Sequence, residues 1–219
     1  KNMNKLKILI IGSGGREHAV GWKIAQSKRA GEIFFAPGNA GTLSLGMNVD
    51  IKATDIDGLL TFARKENIDL TLALPDDPLS LGIVDLFQAN GLRIFGPTKA
   101  AAQLESSKAF SKNFMRDHNL PTAKFKVFTD IIEATKYVDR QMLPIVIKAS
   151  GLALGKGVII AETFKDAHQV LEDILVNKVF GDAGNEVIIE EFMTGPDIST
   201  HAFSDGVTYK LFPVSQDHK

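Results

Sequence analysis

The chain has 219 residues, with 25 Lys and Arg against 26 Asp and Glu, and no cysteine. A formal charge of −1 lays down no cationic footprint for nucleic acid, and without cysteine there is neither a disulfide framework nor a thiolate zinc site. No apolar run approaches the roughly 20 residues of a membrane span and nothing resembles a signal peptide, so the expectation is a soluble, cytoplasmic chain of one or two domains, with no nucleic-acid, membrane or obligate protein partner.

Residues 6–11 (LKILII) read as a strand, and glycines follow at once at positions 12, 14 and 15. A helix with apolar groups at helical spacing then runs over residues 16–25, which is the strand, glycine turn and helix opening of a doubly wound sheet. The dinucleotide fingerprint G-x-G-x-x-G is incomplete, because His18 falls near the place of its third glycine, so a nicotinamide-dependent dehydrogenase is disfavoured. The helix N-terminus still suits an anion. His18 itself reads as an imidazole capping or packing near the turn.

The alternation continues with a strand at 32–36, a loop of small and amide residues at 37–42, a helix at 55–67, a strand at 69–74, a helix at 80–90 and a short strand at 92–95. Strands alternating with helices of this length predict a parallel α/β sheet, whose ligand loops gather at the carboxyl ends of the strands. Those loops are 12–16, 37–42, 75–78 and 96–98. Asp76 and Asp77, between two prolines, read as helix caps or as a general base. Residues 99–118 are mostly helical with an interruption at 106–108, and Leu120, Pro121 and Thr122 mark a boundary region.

Beyond the boundary come a strand at 124–128, a helix at 131–140, and then residues 144–162, PIVIKASGLALGKGVIIAE. Two mostly β-branched runs flank a loop in which Gly151, Gly155 and Gly157 surround Lys148 and Lys156. The spacing predicts a strand buried on both faces, a loop that turns its N–H groups toward a phosphate, and a second strand. It is not a Walker loop, because Gly157 stands where the magnesium-binding hydroxyl belongs and a strand follows. A glycine-rich hairpin with two solvated lysines is the plainer alternative. A helix at 164–177 precedes a strand at 186–192 that ends in paired acids. This last segment offers an apolar slot, backbone polar groups and a carboxylate, which suit an adenosine; otherwise it is an edge strand with solvated acids.

Six segments together carry a resemblance: GSGGREHA at 12–19, GNAGT at 38–42, LESSK at 104–108, KASGLALGKG at 148–157, IEEF at 189–192 and QDHK at 216–219. In order and content the chain resembles the glycinamide ribonucleotide synthetases of the ATP-grasp superfamily. The resemblance implies a Rossmann-like pre-ATP-grasp domain with a parallel sheet over residues 1–100. An α+β ATP-grasp lid with linker helices follows over 101–192, and a truncated large lobe starts at 193–219. It implies that the chain is the N-terminal half of an enzyme and that Mg2+ or Mn2+ is held by residues of the missing half, none in this chain.

For the whole enzyme the resemblance implies ATP-dependent ligation of glycine to 5-phosphoribosylamine through a glycyl phosphate, in purine biosynthesis. Lys148 and Asp217 then take catalytic positions. Lys108, Lys148, Gly155, Lys156 and Gly157 meet the phosphates of ATP; Glu190, Glu191, Phe192 and Met193 form the adenine hinge, and Asp197 takes the place of the ribose carboxylate, usually glutamate. The sugar phosphate is expected on Gly14, Gly15, Arg16, Gly38, Asn39, Ala40, Gly41 and Thr42, with Asp76 nearby, where Leu74, Pro75 and Asp76 replace the family's usual Gly-Pro-Glu. The alternative is a nucleotide or sugar-phosphate binding module without turnover.

Overall fold

The structure, a computed structural model, describes residues 5–153 and 157–216. The expected site residues Gly155, Lys156 and Asp217 lie outside the described residues. Strand β1 (Leu6–Gly12) is the middle of a five-stranded sheet that it forms with β2 (Ala30–Pro37), β3 (Met47–Asn48), β4 (Leu70–Ala73) and β5 (Ile94–Phe95), in the order β3-β2-β1-β4-β5. Every pairing in it is parallel, so each connection needs a crossover. Alternation along β1 sends Ile8 and Ile10 to one face, against Val20 and Ile24 of helix α1 (Gly15–Ala25). Leu9 and Ile11 go to the other, against Leu59 and Ala63 of α2 (Ile56–Lys65). Both faces are covered, which is why the strand reads as a continuous apolar run.

The single helix expected at 80–90 is two, α3 (Asp76–Leu81) and α4 (Ile83–Ala89). Gly82 between them has φ +93°, a left-handed conformation that ends the first helix and starts the second. The helical pattern therefore begins earlier than expected, at Asp76. Neither acid caps through its side chain, because Pro75 occupies the cap position; Asp76 and Asp77 sit in the first turn, beside the positive end of the helix dipole. The two-residue strand β3 is too short to show a period in sequence.

Helices α5 (Lys99–Ser106) and α6 (Lys108–Asp117) meet at Ser107, whose hydroxyl accepts the N–H of Phe110 at 3.1 Å and caps α6. A second sheet follows, antiparallel, in the order β6-β9-β7-β8, from β6 (Phe125–Phe128), β7 (Ile145–Ala149), β8 (Val158–Ala161) and β9 (Val187–Glu191). Ile145, Ile147, Val187 and Ile189 pack against α7 (Ile131–Val138) and α8 (Phe164–Leu175). Val146, Lys148 and Glu190 point the other way.

Two expectations are corrected here. Strand β7 is not buried on both faces: residues 145, 147 and 149 are buried while Val146 and Lys148 are half-covered. Strand β9 is central and not the edge strand of the alternative reading, and of its paired acids Glu190 is 5% exposed while Glu191 is exposed. The remaining described residues form short ladders, β10 (Ile198–Ser199) with β13 (Ser215–Gln216) and β11 (Ala202–Ser204) with β12 (Tyr209–Leu211).

Candidate functional site

Between the half-covered face of the antiparallel sheet and helix α6 stand three lysines and one buried carboxylate. Val146 pairs with Glu190 across β7 and β9, which leaves Lys148 on the same face one diagonal step away. Its Nζ donates to Oε2 of Glu190 at 2.9 Å. Helix α6 lies over this face with Lys108 and Lys112 one turn apart, and Lys112 Nζ stands 3.2 Å from the same Oε2. Lys108, Lys112, Lys148 and Glu190, with Glu105, line one cavity of about 220 Å3. Two acids among five charged groups leave it net cationic, which suits a polyanion. Burial lowers the pKa of Lys108 below the ordinary lysine range; the charge of Glu105 raises it in part and that of Lys148 lowers it further.

The segment after β7 is bound to the start of α6. Ser150 accepts the N–H of Lys108 on its carbonyl at 2.8 Å and that of Ala109 on its hydroxyl at 3.1 Å. Lys108 Nζ donates to the carbonyl of Gly151 at 3.1 Å. Gly151 abuts Ala183, whose Cα would lie 2.7 Å from an added Cβ, and the carbonyl of Gly157 accepts the N–H of Ala149 at 2.8 Å. The two candidate phosphate lysines, Lys108 and Lys148, are thus brought to one cavity from elements far apart in sequence.

Where β9 ends, a second cavity of about 400 Å3 opens, lined among others by Met142, Pro144, Ile189, Glu191 and Phe192. Of the expected hinge, Glu190 turns its carboxylate to the lysines, and Glu191 accepts the N–H of Lys124 at 2.8 Å. Phe192 and Met193 are exposed, and Asp197 lies on the exposed stretch that follows.

The glycine turn and the 37–42 loop sit side by side at the carboxyl ends of β1 and β2, as adjacent parallel strands require. Gly38 N–H donates to Gly12 at 3.1 Å, and the amide of Asn39 to the carbonyl of Ser13 at 2.8 Å. Gly14, Gly15 and Ala40 are exposed, as is most of the Arg16 side chain. Gly12 has φ +122°, and an added Cβ there would meet Glu17 at 2.5 Å. Glu17 is buried; its Oε2 accepts the N–H of Gly14 at 2.7 Å, and Arg16 Nε lies 3.5 Å from its Oε1.

Asn39 and Thr42 spend their side chains on protein partners, in the loop itself and in Ser13 and Asn48 beside it. Asn39 Oδ1 accepts the N–H groups of Gly41 and Thr42, and the fully buried Thr42 hydroxyl lies 2.8 Å from the Asn39 carbonyl and 2.7 Å from Asn48 Oδ1. They set the loop's shape, which leaves its exposed backbone and Arg16 facing solvent. Arg16 also lines a cavity of about 520 Å3 with Leu74, Gly96, Pro97 and Ser204, while Asp76 is half-buried at the start of α3.

Three groups in these sites escaped the sequence reading. Lys112 follows Lys108 by one helical turn, a spacing that marks a shared face but not its partner. Ser150 sits in the glycine segment, and only the packing of α6 shows what it accepts. Glu17 was visible as the third residue of α1, the position of a reciprocal cap. Among the described residues no group of three or more His, Asp or Glu is arranged to hold a metal ion, and no helix is long and apolar enough to cross a membrane.

Comparison with known proteins adds the following. Residues 6–105 match the family described as phosphoribosylglycinamide synthetase, N domain, and residues 106–219 match its ATP-grasp (A) domain. The chain is 53% identical over 216 residues to a phosphoribosylamine--glycine ligase of Yersinia pestis, covering 98% of this chain and 50% of that protein. It is 51% identical to one from Salmonella typhi, with the same coverage. The crystal structure of the Thermotoga maritima phosphoribosylamine--glycine ligase superposes with a TM-score of 0.79 at 31% identity, over 95% of this chain and 49% of that one. A carboxyaminoimidazole ribonucleotide synthase from Aspergillus clavatus, complexed with ATP, shares the fold at TM-score 0.74 and 15% identity, over 99% of this chain and 55% of that one. The chain thus spans about half the length of the curated relatives it matches.

Proposed function

The chain belongs to the phosphoribosylglycinamide synthetase family, and on that premise we propose that it supplies the sugar-phosphate domain and the nucleotide lid of a phosphoribosylamine–glycine ligase. The observation that carries this reading is the meeting of Lys108 and Lys148 in one cationic cavity on the open face of the antiparallel sheet. Phosphoryl transfer asks mainly for positioned cations and exclusion of water, and needs no nucleophilic side chain. In the intact protein the carboxylate of glycine attacks the γ-phosphorus of ATP, and the bond to the bridging oxygen of ADP breaks. The amine of 5-phosphoribosylamine then attacks the acyl carbon of glycyl phosphate, phosphate leaves, and the amine proton is lost to solvent.

Within this chain, Lys108 and Lys148 bind and orient the phosphates. Gly157 is assigned to the same phosphates, and so are Gly155 and Lys156, which lie outside the described residues. Residues 190–193 border the adenine and Asp197 meets the ribose. The exposed backbone of the glycine turn and the 37–42 loop, with Arg16 and Asp76, receives the sugar phosphate, and Asp217 completes the catalytic set. A divalent ion, Mg2+ or Mn2+, would accompany ATP; the described residues do not fit one, so no step is derived through it. The location proposed is cytoplasmic, with small-molecule substrates only.

The test is ADP release by the intact protein with ATP, glycine and 5-phosphoribosylamine. Release that depends on both acceptors supports the reading, and its absence refutes it. Because the chain spans about half the length of its curated relatives, one second reading is kept for the 219-residue chain alone, nucleotide or sugar-phosphate binding without turnover. Calorimetry on that chain decides this, since turnover by it would exclude the second reading.

A further inference from the structure

Glu190 carries two ammonium groups on a single oxygen. Lys148 Nζ donates to Oε2 at 2.9 Å and Lys112 Nζ lies 3.2 Å from it, while Oε1 is buried and accepts no hydrogen bond from the described residues. Both cations are not equivalent. The Lys112 side chain is 12% exposed, donates to the hydroxyl of Thr122 at 2.7 Å and stands 5.6 Å from the centre of the Phe125 ring. The Lys148 side chain is 25% exposed and makes its polar contact with Glu190 alone among the described residues. One lysine is anchored; the other is held at a single point and is the more exposed of the two.

We propose that Lys112 is a positioning residue for the nucleotide phosphates: it is the standing counterion of Glu190, and its charge lets Lys148 leave that carboxylate for a phosphate. The inference rests on the ATP reading above. A carboxylate as buried as Glu190 is costly without a cation, so a lone Lys148 would be bound to it and any move toward a ligand would strand the charge. With Lys112 fixed by Thr122 and Phe125, the carboxylate stays compensated after Lys148 turns away. The phosphate then gains a cation without leaving an unpaired anion behind it. The pairing also explains why two lysines converge on one oxygen while the second oxygen has no donor.

The experiment compares the affinities of the intact protein for ATP and for adenosine by calorimetric competition. In Lys112→Met, ATP binding weakens roughly tenfold or more while adenosine binding changes by less than about twofold, because only the phosphates ask Lys148 to move. Lys112→Arg keeps the wild-type preference. The double variant Lys112→Met/Glu190→Gln, whose cavity no longer holds an uncompensated carboxylate, regains the preference for ATP over adenosine. This variant also carries the test should the single one fail to fold in a thermal melt. Equal losses for ATP and adenosine in Lys112→Met, or a double variant that does not regain the preference, overturn the role of Lys112 and leave the ATP reading standing. A wild-type protein with no preference for ATP refutes that reading, and this inference with it.

Discussion

The imidazole of His18 fills the space beside the α-carbon of Gly41: a Cβ built on Gly41 would lie 2.5 Å from Cε1 and 2.7 Å from Nδ1. The glycine is there so that helix α1 and the 37–42 loop can close on each other, and the packing role expected of His18 near its turn is what the contact shows. A side chain added at Gly41 runs into the ring instead of into open ligand space.

Gly41→Ala is therefore expected to lower stability by about 1–3 kcal/mol, the usual cost of overpacking. Thermal melts check it, and His18→Ala in the same chain should recover most of the loss by removing the ring. A double variant as unstable as Gly41→Ala alone would mean that the ring is not what the new methyl group meets.

Lys108 makes a prediction about pH. Burial, with Lys148 adding to it and Glu105 opposing it, holds its pKa below the ordinary lysine value. The folded state thus disfavours the ammonium, and this penalty is present at neutral pH. It is relieved as pH rises through the window between the lowered folded pKa and the unfolded value near about 10.4. A phosphate needs the ammonium, so ATP affinity should fall as pH enters the same window from below. Lys108→Arg, which stays charged, should extend tight binding to higher pH. Calorimetric titrations across the alkaline range would show this, and identical pH profiles for wild type and Lys108→Arg would count against Lys108 as a phosphate ligand.

Ser150 holds the first turn of α6 to the end of β7, and its hydroxyl is the acceptor for the N–H of Ala109. Ser150→Ala leaves that buried donor without its partner and should cost about 1–3 kcal/mol in denaturant melts. Because the same turn carries Lys108, KM for ATP should rise while KM for glycine does not. A variant with wild-type stability would show that the turn is held by the Ser150 carbonyl alone, which accepts the N–H of Lys108.

The parallel sheet was readable because its inner strands are largely buried on both faces, so residues 6–11 and 69–74 stand out as mostly apolar runs between amphipathic helices. The break at Gly82 was not, since an isolated glycine inside an apolar pattern is compatible with one continuous helix and only its positive φ reveals two. Lys108 and Lys148 were found through a motif, but Lys112 was not. Its meaning depends on the register that sets Val146 opposite Glu190 and on the helix that crosses above them. Likewise the polar side chains of Asn39 and Thr42 suggested ligand donors, and the structure shows them satisfied by their own loop, by the carbonyl of Ser13 and by Asn48. Composition shows which residues can donate; only geometry shows which have already done so.

The Glu190 cluster orders three substitutions by stability. Glu190→Gln removes the one carboxylate that both Lys112 and Lys148 contact and leaves two ammonium groups facing each other, one of them in a largely buried place. Breaking a buried pair in this way costs on the order of 3–5 kcal/mol. Lys148→Met leaves the carboxylate with Lys112 at 3.2 Å, and its loss should stay near about 1 kcal/mol, because the Lys148 side chain is partly in water. Lys112→Met falls between, since it forfeits the contacts with Thr122 and the Phe125 ring while Lys148 still neutralises Glu190. Activity should follow a different order: Lys148→Met, the mildest in a melt, should lose the most kcat/KM for ATP, because it deletes the cation that reaches the phosphate. Denaturant melts alongside steady-state kinetics on the intact protein measure both orders. If Lys148→Met proved the least stable of the three, or kept wild-type kcat/KM, Lys148 would be a structural lysine and not a phosphate ligand.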